Sequence, residues 1–424
     1  MPGLSRRRLG LTAAALAAAP GGARAQSTTL NAFGHRVHQI VTNGPAGGDV
    51  TAAWRTANKA DINWITLVEV GPIHDRMQRE LALGETSLDL VHVLNGFANP
   101  RFLAQLEPLD PHQQAAPIED LADISPGLIA PLRLDGGLRA IPMRHTTNAL
   151  IYNEALFEER GVAGPPKTFE ELIEAARKLT FKRPDGSQVH GMVFHTGSLA
   201  IWVGIARAYG GDFMTLDGKL ACDQPAAVKS LATLAELHKA EVLPRAMTGI
   251  SLEEITTWMQ QGRAAMTITA FARVGSLNDP ANSRYPGKIK AAIMPMTAEL
   301  VGKVPYASTF EFWAYAIPRN SKNKQLTWSL VRALSSKEGT LKMALNGNGP
   351  VRGSTYADPA FAKDAARATI EAQALREGRI PLPAFDNQAR ANDVFIEECQ
   401  AALLGMKAPQ QAMADAARRV QAML

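Results

Sequence analysis

Two short stretches and a scatter of arginines hold the side chains best able to do chemistry. His35-Arg36-Val37-His38 offers two imidazoles of the kind that bind a metal ion. The chain's nine histidines are otherwise scattered, and no carboxylate or cysteine cluster accompanies this pair. Ser321-Lys322-Asn323-Lys324 matches the S-x-x-K nucleophile motif, but its partner motifs are missing, so it reads as a helix cap with solvated lysines. Neither G-x-S-x-G nor H-E-x-x-H occurs. Catalysis and a resident cofactor or metal therefore lack support, and recognition remains. Candidate loops carry His35, Arg36, Arg144, His145, Arg273 and Arg352, with Glu311 the one obvious acid. Guanidinium forks suit carboxylate or phosphate oxygens, also bind sugar hydroxyls, and commonly pair with surface acids instead. Asn95 and Asn148 read either as orienting amides or as turn and strand-edge residues.

The elements that must position these groups follow from local pattern. Asn148 to Leu172 changes grammar three times: a buried strand end, one or two helical turns stopped at Gly161, then Pro165-Pro166 and a new helix. Thr168 and Glu171 fit a capping box at that helix start. Leu30 to Phe33, Trp64 to Val70 and Asp89 to Leu94 read as strands, and Ile73 to Ala82 as a helix. Met192 to His195, Ala264 to Thr269, Ile289 to Met294 and Phe312 to Ile317 add strands among helices, and the tail is helical. Alternating strands and helices predict an α/β fold with a parallel sheet. Ligands in such sheets sit beyond the carboxyl ends of strands, which marks the loops Gly34–His38 and Asn95–Asn99.

The 424 residues exceed one ordinary core, so two domains are expected. The net charge of +5 is concentrated at the start, where Arg6, Arg7, Arg8 and Arg24 stand. The 45 Lys and Arg less these four leave 41 against 40 Asp and Glu, which removes the case for a nucleic-acid binder. MPGLSRRRLGLTAAALAAAPGGARAQ has the basic start, apolar run and A-x-A site of a cleaved export signal, with a twin-arginine-like Arg6-Arg7-Arg8. Cleavage after Ala25 is expected to expose Gln26, which cannot carry a lipid anchor, and to give a soluble periplasmic protein. Cys222 and Cys399 read as two free, buried thiols.

Five motifs in register resemble one family, the extracellular solute-binding proteins of ABC importers, in the sugar-binding branch that includes maltose-binding protein. They are the Asn148–Leu172 unit; Gly210-Gly211-Asp212 with Asp217-Gly218-Lys219; and Gly262-Arg263-Ala264-Ala265-Met266. Trp313-Ala314-Tyr315-Ala316-Ile317-Pro318-Arg319-Asn320-Ser321 and Pro350-Val351-Arg352 complete them. The resemblance implies a two-lobe periplasmic-binding-protein fold with a ligand cleft at the hinge. Residues 26–143 and 280–335 would form the first lobe, and 144–279 with 336–424 the second. It also implies that Trp202, Phe271, Trp313 and Phe385 present apolar faces to a sugar, with core packing as the alternative for each. The expected ligand is a sugar, oligosaccharide or polyol, with an anionic solute as the alternative. A membrane permease with ATPase subunits is the expected partner of what should be a monomer.

Overall fold

The computed structural model describes residues 28–305, 308–362 and 365–424, and the signal-like segment with its Ala25 site lies outside the described residues. The strands are β1 (Thr28–His35), β2 (Ala60–Leu67), β3 (Leu90–Leu94), β4 (Arg133–Leu134), β5 (Gly137–Leu138) and β6 (Ala140–Asn153). They continue with β7 (Phe181–Lys182), β8 (Gln188–Phe194), β9 (Ala264–Ala270), β10 (Ile289–Ala292) and β11 (Phe310–Ala316). β1 runs parallel to β2 and β3, as the alternating pattern predicts, while β11 returns antiparallel between β3 and β6.

β6 is the feature that organises the molecule. Its first half, Ala140 to Thr147, pairs with β11; its second half, from Asn148 onward, pairs with β9 on one edge and β10 on the other. One strand of 14 residues thus belongs to two sheets, and the chain crosses between lobes without a loop. The register on β11 shifts between Trp313 and Ala314, opposite Arg144 and Pro142. Proline has no N–H to give a ladder, so an irregularity there is the natural place for it.

Each half-sheet is covered by helices and encloses its own core. Phe33, Val91, Phe102, Ile141, Phe312, Tyr315 and Trp328 pack in the first. Leu150, Phe157, Phe169, Phe194, Trp202, Phe213, Met266 and Phe395 pack in the second. These cores move the expected boundaries. Ile289 to Met296 belong to the second core, because β10 pairs with the far half of β6. The helix Lys337–Leu345 docks on the first lobe instead of the second: Asn346, just past its end, donates to the Val41 and Gly48 carbonyls at 2.9 and 3.1 Å. Val351, Tyr356, Leu375 and Ile380 also pack in the first core, so the last crossing falls after them. Arg207 of the second lobe clamps that crossing, donating to the carbonyls of Arg379, Ile380 and Pro381 while pairing with Asp212 at 3.1 Å.

Cys222 and Cys399 are both free and buried in the second core, where the apolar surroundings push both thiols up. No helix among the described residues is long and apolar enough to cross a membrane.

Candidate ligand cleft

A cavity of about 640 Å³ lies between the lobes. The first lobe supplies Gln78 and the loop from Asn95 to Asn99, which follows the carboxyl end of β3. The second supplies His195, just past the end of β8, with Gly197 to Ala200 and Leu252. Glu311 comes from β11, and Pro381, Phe385, Asp386, Gln388, Asn392, Asp393 and Ile396 come from the last crossing and the helix after it. Strand ends set the walls, as the position of ligands in α/β sheets requires.

Three helices begin at this cavity: Leu199–Ala208, Leu252–Gln261 and Gln388–Leu403. The second is closed by a reciprocal capping box between Ser251 and Glu254. The other two have no side-chain cap; Ile201 and Gln388 donate their N–H groups to the Ser198 and Phe385 carbonyls, and the partial positive charge of both helix starts faces the cavity. Against these donors stand acceptors. Glu311 has no hydrogen-bond or ionic partner among the described residues. Water reaches it through the cleft, yet protein crowds it closely enough to hold its carboxyl above the ordinary range. Gln388 is 7% exposed, and its Oε1 has no partner; neither does Oδ1 of Asn392. No lysine or arginine lines the cavity among the described residues. Among the described residues, Asp386 has a cation nearby only in exposed Arg101, at 3.9 Å.

Of the residues expected to bind ligand, Asn95, Glu311 and Phe385 line the cavity together. Asn95 is fixed by accepting the Phe312 N–H at 2.8 Å. The others lie elsewhere. His35 caps the helix Arg36–Asn43 by accepting from the Val37 N–H, so the polar loop expected after Gly34 is a helix start, with Arg36 exposed on it. Gly34 itself is required by close approach: a Cβ there would stand 2.6 Å from Nδ1 of His92. Trp313 is 9% exposed and packs behind the cavity wall, its ring 4.7 Å from His38, 5.6 Å from His74 and 6.2 Å from His35. Arg144, cross-strand from Trp313, has one terminal nitrogen buried without a partner but does not line the cavity. His145 is buried at the crossing, bonded to Thr147 Oγ1 at 2.7 Å and to the Tyr356 hydroxyl at 2.6 Å. Its pKa is lowered to about 3 by burial and by the nearby Arg144 charge.

Trp202 and Phe271 are core residues of the second lobe; Trp202 donates its indole N–H to the Thr196 carbonyl at 2.8 Å. Arg273 is half-buried and donates weakly to Thr256 at 3.4 Å. Arg352 is fully buried far from the cleft lining, where it ties together the carbonyls of Ser335, Asp120 and Glu119 and pairs with Asp123. The desolvated guanidinium satisfies a chain junction and is not presented to a ligand. Among the described residues, no group of His, Cys, Asp or Glu is placed to hold a metal ion.

Two α/β lobes joined by chain crossings, with a polar cavity between them, define a binding protein of the two-lobe class. The chain belongs to the bacterial extracellular solute-binding protein family, whose model matches residues 39–341. Membership sets it among binding proteins and not among enzymes. An erythritol/L-threitol-binding protein of Mycolicibacterium smegmatis is 27% identical over 319 residues, 70% of this chain and 63% of that protein. A probable amino-acid ABC transporter periplasmic-binding protein of Sinorhizobium fredii is 22% identical over 300 residues, 69% of this chain and 65% of that protein. The chain thus spans just under two thirds of the length of these two relatives. A solute-binding protein of Agrobacterium radiobacter, solved with ribitol, superposes at a TM-score of 0.77 with 23% identity, covering 94% of this chain and 99% of that one. The likeness extends to the whole two-lobe fold.

Proposed function

We infer that this chain captures a neutral, polyhydroxylated solute, a sugar or polyol, and hands it to a membrane permease driven by ATPase subunits. One observation carries the reading: the cavity sets two uncapped helix starts against an unpartnered carboxylate, with no lysine or arginine in its lining. A hydroxyl both donates to a carboxylate and accepts from a backbone N–H, and a polyol carries several of them on one small frame. A carboxylate or phosphate would suit the helix starts but would meet Glu311, Asp386 and Asp393. The anionic alternative is therefore not favoured. The relative named for erythritol and threitol agrees with a polyol. Phe97 and Phe385 would supply apolar faces to the ligand's C–H surface. Export by the N-terminal signal, release from Ala25 and work in the periplasm as a monomer complete the reading.

The test is a thermal-shift screen of ribitol, mannitol, erythritol, glucose and maltose against the mature protein. A ligand that binds only the folded state raises the melting temperature by mass action. At least one of these solutes is expected to do so in proportion to the logarithm of its concentration. No shift by any of them at millimolar concentration would refute the reading.

A further inference from the structure

We propose that Glu311 is the residue that sets the charge class of the solute, taking hydroxyl donors and turning away carboxylates and phosphates. This rests on the polyol reading and sharpens it to a single side chain. Glu311 stands on β11 directly opposite Thr146 of β6, at the rear of the cavity where the two lobes join. Nothing in the described structure neutralises it. Arg144, the nearest cation along β6, does not line the cavity, and Asp386 and Asp393 add negative charge to the lining.

Closure over a bound solute would strip the remaining water from this carboxylate. A buried carboxylate is tolerated only when its lone pairs are filled or its charge is matched. Two hydroxyls of one solute can fill the lone pairs. An anionic solute cannot match that charge, and even where its hydroxyls fill the lone pairs it adds like-charge repulsion that costs several-fold to many-fold in affinity. The uncapped helix starts offer an anion partial compensation, so discrimination depends on the full charge opposing them. Among the described residues, Glu311 is the only carboxylate of the lining that stands on a sheet strand, β11, which pairs with the first half of the β6 strand that both lobes share.

The experiment measures dissociation constants by calorimetry for matched pairs: ribitol and ribonate, erythritol and erythronate, glucose and glucuronate, glycerol and sn-glycerol 3-phosphate. In the wild type the neutral member of a binding pair is expected to bind at least about tenfold more tightly than its acid or phosphate. Glu311→Gln should shrink that ratio by about tenfold or more, chiefly by admitting the anion, and Glu311→Asp should keep most of it. Because Glu311 has no partner inside the protein, neither replacement breaks an internal bond, and the unliganded melting temperature checks this. An anion that binds the wild type as tightly as its neutral parent would overturn the role of Glu311 while leaving the polyol reading standing. An unchanged ratio in Glu311→Gln would do the same. Failure of every neutral member to bind the wild type would instead remove the polyol reading, and this inference with it.

Discussion

His38 lies fully buried with both ring nitrogens unpartnered among the described residues, stacked 4.6 Å from His92 beneath Trp313. Its neighbours have their tautomers set by hydrogen bonds, while burial keeps the rings neutral. His74 Nδ1 donates to the Val70 carbonyl while its Nε2 accepts the Leu94 N–H, so a second proton would face a donor. His92 donates to the Phe33 carbonyl and leaves Nε2 bare against His38. Burial lowers His74 and His92 from 6.5 to about 4, and pushes His38 well down. The sign follows directly. Below 6.5 the unfolded chain takes up protons that the folded chain refuses, so stability is full above that value and is lost as pH falls toward 4. Each of His74 and His92 should remove roughly 2 kcal/mol by pH 5, before most carboxylates titrate. Thermal unfolding should show a melting temperature several degrees lower at pH 5 than at pH 7, and a flat profile across that interval would contradict it. At this scale the strand-end rule is a partial guide, since it also marked Gly34–His38, which forms a helix start away from the cavity lining. Asn95 follows a strand end, and that rule finds it. His195 also follows a strand end, and the same rule applied to β8 would have found it. The buried state of Arg352 depends on Asp120 and Glu119, far away in the chain, which no local pattern carries.

At the scale of elements, the unit from Asn148 to Leu172 folds much as its punctuation predicts, with a helix Glu154–Glu159, Gly161 at a φ of 61° and a helix Phe169–Lys178. The cap at Thr168 is only half the expected box: Thr168 accepts from the Glu171 N–H at 3.1 Å, but Glu171 reaches back to the N–H of Lys167. The complete box stands at Ser251 and Glu254, on a helix that the apolar spacing marks weakly. The helix Gln388–Leu403 is the larger miss. Its first turns spend Gln388, Asn392 and Asp393 on the cleft, which breaks the stripe that would reveal it. Arg352 illustrates the same limit in energetic terms. It joins the Glu119–Asp123 segment to the end of the helix Lys324–Leu334 through the Ser335 carbonyl. Arg352→Ala would leave those buried acceptors unfilled and is expected to cost about 3 kcal/mol or more in a urea melt. The folded fraction should bind solute with unchanged affinity. A variant of normal stability that binds more weakly would return Arg352 to the cleft.

The whole molecule turns on the strand that both sheets share. Bending can concentrate where β6 passes from β11 to β9, at Thr147 and Asn148, because there the ladder changes partner. Asn148 is tied to Thr309 at 3.1 Å, and Thr309 in turn donates to the Ala200 carbonyl at 2.9 Å, so two crossings and the start of a cleft helix are coupled. The last crossing is held to the second lobe by Arg207. A solute touching Asn95, Glu311 and the start of Leu199–Ala208 therefore contacts both lobes and the segments joining them. Such a ligand would favour a closed form by its differential contacts. A preference of about 3 kcal/mol would move the open-to-closed ratio more than a hundredfold. Small-angle scattering of the mature protein should show the radius of gyration fall when the neutral solute found by thermal shift is added to saturation. Trp313→Ala should compact only at higher solute concentration, because the ring holds the wall that carries Leu94 and Asn95 without entering the cavity itself. Scattering that stays constant while calorimetry reports full occupancy would mean that the solute is held in a rigid cleft, and the permease would then have to read the loaded protein by some means other than its shape.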